Sequence, residues 1–163
     1  MKSLWAPWRI DYIRGDKENG CVFCSKTGKE EDKENLILYK GERNFIIMNR
    51  YPYSNGHLMV VPYRHTNALS DLDHEERLEM MNLTILCMDV LKVMNPQGFN
   101  VGMNLGSVAG AGIDDHLHFH VVPRWQGDTN FMPVIGDVRV MPEYLEDTYN
   151  TLNQELNKLR GDQ

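Results

Sequence analysis

The segment His116-Leu117-His118-Phe119-His120-Val121-Val122 constrains this chain more than any other stretch of its sequence. Alternate side chains of an extended strand share a face. The pattern predicts a strand over 117–122, with three imidazoles on one side, spread over roughly 13 Å at about 3.3 Å per residue. Leu117, Phe119 and Val121 then turn to the other side, toward a core. Three rings this close repel one another when charged, so their titrations are expected to be coupled.

Such a row suits chemistry at phosphorus. Imidazole is partly unprotonated near neutral pH and is a good nucleophile. Its neighbours can donate hydrogen bonds to phosphoryl oxygens or protonate a leaving group. His118 has a partner on each side and is the candidate nucleophile. The competing readings are a surface strand with chance histidines, or a nonspecific metal-binding face. A Gly-rich approach, Asn104-Leu105-Gly106-Ser107-Val108-Ala109-Gly110-Ala111-Gly112, favours a site. Small residues let backbone N–H groups come close to an anion, and Asn104 and Ser107 add side-chain donors. His57 opens another candidate strand, and Asn49 lies at a strand end from which it could reach a ribose hydroxyl. Trp125 follows the triad and either stacks on a base or fills the core.

Cys21-Val22-Phe23-Cys24 has the spacing of half a tetrahedral zinc site. A second cysteine pair is missing, so histidines must complete any such site, and His65 and His116 are available. The alternatives are a redox pair or two unligated thiols. A redox pair normally follows a strand and starts a helix, which fits this loop poorly. Cys87 lies in a helical apolar pattern and reads as a small core residue, while His74 reads as a solvated surface histidine. Three cysteines do not make a disulfide framework, so a reducing cytoplasm is the expected setting.

The remaining pattern predicts an α+β fold in one domain. Strands are expected at 36–39, 45–48, 57–61, 99–104 and 117–122, in an antiparallel sheet. Asp73 with Glu76 forms a capping box before a helix carrying Leu83, Leu86, Val90 and Val93 on one side, and Pro96 ends it. Leu145, Tyr149, Leu152, Leu156 and Leu159 form a second helical stripe, with Pro142 suited to its first turn. The chain divides into an arm over 1–20, whose Trp5, Trp8 and Tyr12 are expected to dock on a surface, a core over 21–125, and a C-terminal extension over 126–163. A net charge of −6 argues against nucleic acid or an anionic membrane as partner. No apolar run is long enough to span a bilayer.

The motif His116–Val122 resembles the defining pattern of the histidine triad (HIT) family, and Gly56-His57-Leu58-Met59-Val60-Val61-Pro62 and Asn49-Arg50-Tyr51-Pro52 are similar to that family too. Leu4-Trp5-Ala6-Pro7-Trp8-Arg9, Gly98-Phe99-Asn100-Val101-Gly102 and the run through Pro123-Arg124-Trp125 resemble its diadenosine tetraphosphate phosphorylase branch. The resemblance implies a covalent nucleotidyl group on His118, phosphate contacts from His120 and His57, and a supporting or zinc-ligating His116. It also implies ribose binding by Asn49, phosphate binding along Asn104 and Ser107, and an adenosine-type substrate. Cys21, Cys24, His65 and His116 match the family's zinc ligands, and no organic cofactor is expected. A homodimer whose sheets join into one is implied as well. Gly112 stands where many family hydrolases carry Gln and phosphorylases often carry Ser, so the resemblance leaves water and phosphate both open as acceptor. Cleavage of AMP phosphoramidates or esters, a zinc-stabilised nucleotide-binding protein without turnover, and a hydrolase with zinc on the triad are the competing functions.

Overall fold

The computed structural model describes residues 20–28, 32–128 and 141–161. The expected docking arm, with Trp5, Trp8 and Tyr12, lies outside them. A one-turn helix α1 (Cys24–Thr27) is followed by β1 (Ile37–Lys40), β2 (Asn44–Met48) and β3 (Leu58–Pro62). Then come α2 (His74–Leu91), β4 (Gly98–Gly102), β5 (Phe119–Arg124) and α3 (Leu145–Gly161). The strands form one five-stranded sheet in the order β1-β2-β3-β5-β4, and all of its pairings are antiparallel. The fold is α+β, as the pattern implies.

Apolar β-branched and aromatic residues make β2 and β3 the centre of this sheet, and both are buried along their whole lengths. Phe45, Val60 and Val61 on the sheet, Cys87 and Leu91 on α2 and Leu152 on α3 are all wholly buried. Cys87 is thus a core residue, and its thiol is pushed up by burial. Asp73 accepts from the Glu76 N–H at 2.8 Å while Glu76 Oε2 accepts from the Asp73 N–H at 2.8 Å, so the capping box starts α2 as read. The helix ends earlier than Pro96. Its last turn tightens into a 3₁₀ segment, Lys92–Met94, and Asn95 takes φ +51°. Val93 falls in that segment and is exposed, not core. Pro142 also stands apart from its expected place, three residues ahead of α3. Among the described residues no helix is long and apolar enough to cross a membrane.

The histidine segment departs from its expected strand. The ladder begins at Phe119, not at Leu117. The Leu117 N–H donates to Thr66 O at 2.7 Å, beyond the end of β3, so the chain at 116–118 runs beside the loop after β3. That detour decides where His116 points.

Candidate functional site

His57, His116, His118 and His120 are all buried, at 1%, 2%, 6% and 8% exposure. The structure brings them together in two groups. His118 and His120 lie edge to face with ring centroids 4.7 Å apart, and His57 sits 5.0 Å from His120. His116 belongs to the second group.

Hydrogen bonds fix which nitrogen of each ring carries the proton. His118 Nδ1 lies 2.9 Å from His116 O. A carbonyl only accepts, so Nδ1 bears the proton and Nε2 of a neutral ring keeps its lone pair. Burial holds His118 below the usual imidazole range, which keeps it neutral at pH 7, against the smaller upward pull of its bond to His116 O. The opposite holds for His57. Its Nδ1 accepts from the Tyr53 N–H at 3.1 Å, with the Asn49 Nδ2 at 3.3 Å. The proton is therefore on Nε2, which donates to His120 Nδ1 at 2.9 Å. His120 must then carry its proton on Nε2. That atom is buried and has no hydrogen-bond partner among the described residues. Burial, with His118 as a smaller cause, brings His120 down to about 4. The result is a bare nitrogen on His118 beside a chain of donors that ends at His120 Nε2–H.

In the second group, His116 Nε2 donates to Pro62 O at 2.8 Å, so Nδ1 is bare. It faces Cys21 Sγ at 3.2 Å, Cys24 Sγ at 3.6 Å and His65 Nδ1 at 3.2 Å, while Cys24 Sγ lies 3.5 Å from His65 Nδ1. All four ligand atoms fall within 4.8 Å of one another. Metal–ligand lengths near 2.0–2.3 Å give tetrahedron edges of about 3.3–3.8 Å. The donor set therefore fits a tetrahedral N₂S₂ metal centre. Among the described residues this is the grouping that could hold a metal, and the three triad rings do not form one. Asp115 approaches His65 Nε2 at 4.0 Å.

Asn49 is held beside His57, and its Oδ1 accepts from the Tyr51 N–H at 2.9 Å. Asn104 closes the Gly-rich loop onto Gly110 O at 3.3 Å. Ser107 opens a 3₁₀ turn in that loop, and Gly112 is exposed. Trp125 does not join the histidines within the chain. It lies past the far end of β5, roughly 20 Å along the strand from His118 at about 3.3 Å per residue, with its indole N–H on Asn95 O at 3.0 Å.

Two residues escaped the sequence reading. Phe23, in the middle of the Cys21–Cys24 turn, is 5.4 Å from the His116 ring and 5.3 Å from the His118 ring. Its apolar type between two candidate ligands was the available signal. Tyr53 supplies the N–H to His57 and stacks on its ring at 4.9 Å. Nothing in its local sequence marks a backbone role.

A model of the HIT domain matches residues 30–127. A protein of Mycobacterium tuberculosis named AP-4-A phosphorylase is 40% identical, across 95% of this chain and 84% of its own length. A zinc-bound histidine triad family protein from Mycobacterium smegmatis shares the fold with a TM-score of 0.70 and 26% identity, covering 88% of this chain and 98% of that one. A hypothetical histidine triad nucleotide-binding protein from Sulfolobus tokodaii gives a TM-score of 0.68 at 26% identity, over 87% of this chain and 93% of that one.

Proposed function

This chain belongs to the HIT domain family, and on that premise we propose that it is an enzyme cleaving the phosphoanhydride of a dinucleoside polyphosphate, such as diadenosine tetraphosphate, by nucleotidyl transfer through His118. The observation that carries the reading is the pair of opposed nitrogens: a bare His118 Nε2 next to a buried, partnerless His120 Nε2–H. One is a nucleophile and the other a hydrogen-bond donor for a phosphoryl oxygen.

His118 Nε2 attacks the α-phosphorus. A phosphorus–nitrogen bond forms, the bond to the bridging oxygen breaks, and ATP leaves with that electron pair. The proton stays on His118 Nδ1, donated to His116 O, and this bond steadies the cationic ring of the adduct. His120 and, through it, His57 hold the non-bridging oxygens. An acceptor oxygen then attacks phosphorus, breaks the phosphorus–nitrogen bond and restores His118. The M. tuberculosis relative, matched over nearly the whole chain, favours phosphate as that acceptor, which yields ADP. Asn49 is read as the ribose contact, and Asn104, Ser107 and Gly112 as the phosphate-side loop. Trp125 serves a nucleotide only from a second subunit, in the homodimer this reading includes.

Cys21, Cys24, His65 and His116 are read as the ligands of a structural zinc ion. The fit of four N and S atoms supports this, and the role is a cross-link of three chain segments rather than a chemical step.

The decisive experiment incubates diadenosine tetraphosphate with the protein, with and without inorganic phosphate. ADP plus ATP made only with phosphate is the expected result. AMP plus ATP in its absence would mean water is the acceptor. Binding of AMP with no turnover of this substrate or of an AMP phosphoramidate would sink the enzymatic reading.

A further inference from the structure

We propose that Thr148, on the C-terminal helix α3, is a positioning residue for the His57–His120 pair, acting through Asn55 and Glu143 on the turn that carries Tyr53. The proposal deepens the functional reading above and depends on it only for its kinetic consequences.

The Tyr53 N–H at 3.1 Å, with Asn49 Nδ2 at 3.3 Å beside it, keeps a proton off His57 Nδ1 and so directs the His57 Nε2–H to His120. This N–H belongs to the turn between β2 and β3, not to the sheet. Inside the turn, the His57 N–H donates to Ser54 O at 3.2 Å and Gly56 takes φ +76°. A Cβ at Gly56 would come within 2.8 Å of Met94 Sδ and 2.9 Å of Leu91 Cδ2, so the turn is seated tightly against the end of α2.

Its other anchor is Asn55, only 7% exposed. The Asn55 Nδ2 donates to Glu143 Oε2 at 3.2 Å. The hydroxyl of Thr148, wholly buried, lies 3.0 Å from Asn55 Oδ1 and 2.6 Å from Glu143 Oε2. Its single proton serves those two acceptors. Buried hydroxyl and carboxamide groups are costly unless paired. A contact needed only for packing would be met by valine, which has the same shape. Here two buried polar groups 93 positions apart are kept for each other, and Thr148 lies beyond the residues 30–127 that match the HIT domain. The C-terminal extension thereby reaches the histidine pair in three links: Thr148 to Asn55, Asn55 to the turn, and the Tyr53 N–H to His57.

The test uses the full chain. Thr148→Val keeps the volume and removes the hydroxyl, Thr148→Ser restores it, and Glu143→Gln weakens the charged acceptor at an exposed position. Side-chain ¹⁵N spectra of His57 and His120 report the tautomers without substrate. Thr148→Val is expected to turn the single His57 tautomer into a mixture, and to lower kcat about tenfold with KM changed by less than about twofold, as for a displaced but intact site. Thr148→Ser recovers both. Unchanged tautomers in Thr148→Val, or a Thr148→Ser variant as impaired as Thr148→Val, overturn the proposal. If Thr148→Val does not fold, Glu143→Gln decides the matter: a shift of the same kind supports it and an unaltered His57 spectrum overturns it. Should the wild-type protein leave dinucleoside polyphosphates intact, the functional reading fails, while the ¹⁵N spectra still judge this proposal.

Discussion

Phe23 packs against two clusters of imidazoles that are wired in opposite senses. Around Cys21, Cys24, His65 and His116, lone pairs converge: His116 Nδ1 and His65 Nδ1 face each other at 3.2 Å, with both sulfurs nearby. Around His57 and His120, N–H groups run in series and end on a partnerless donor. The rings are chemically identical. What differs is the backbone group on the far nitrogen. A carbonyl there, as at His116 and His118, leaves a bare nitrogen pointing outward. An N–H there, as at His57, leaves a donor pointing outward. The first arrangement suits a metal ligand or a nucleophile, and the second suits a hydrogen-bond donor.

The largest expected effect breaks the comparison at His118. His118→Ala should lower turnover by on the order of 10⁴-fold or more, while metal content and melting temperature stay close to wild type, because the ring belongs to neither the ligand set nor the ladder. Mass spectrometry of the trapped nucleotidyl adduct provides the companion check, and an adduct on this variant would transfer the nucleophile elsewhere. Next is His57→Ala, which removes the donor to His120 Nδ1. A loss of about 10²-fold in kcat is expected, the scale of one general acid–base or donor contact, again with metal retained. A rate within a factor of two of wild type would show that the donor chain is idle.

Cys24→Ser probes the other cluster. Bound zinc, measured by elemental analysis, should drop to near zero, and the melting temperature should fall by roughly 10 °C, the size of about 3 kcal/mol in a chain of this length. The rate should suffer less than in the two preceding variants, since among the described residues its links to His118 run through the His116 carbonyl and Phe23. A wild-type protein purified without chelator and holding no metal would remove the proposed zinc site.

The effect that is smallest at neutral pH is the titration of His120. With its imidazole lowered to about 4 from the ordinary 6.5, chiefly by burial, His120 refuses a proton that the unfolded chain accepts between those values. Its contribution to stability is therefore complete above pH 6.5, flat beyond it, and lost progressively as pH falls toward 4. An NMR titration of the His120 ring tests this directly, and a midpoint at 6.5 would contradict the burial argument.

Much of the site was legible in the residues before any coordinates. Period two through His116, His118 and His120 announced a shared location, the Cys21–Cys24 spacing announced two members of a Cys/His grouping that could hold a metal, and Asp73 with Glu76 announced the start of α2. These are local signals, set by strand pleating, by ligand spacing and by unsatisfied N–H groups at a helix end. Val93 and Pro142 misled, because helix ends are decided by how the last turns pack and not by periodicity. Strand alternation also overstated the triad's unity, since Leu117 pairs with Thr66 and draws the first histidine away from the other two.

The sequence by itself thus determined which side chains would gather: three alternating imidazoles, a fourth at the head of β3, and two thiols one turn apart. Only the tertiary structure decided which nitrogen of each ring faces its neighbours. That choice lies with Pro62 O, His116 O and the Tyr53 N–H. Backbone groups carry no signature in the residue types, and the fold alone brings them to the rings.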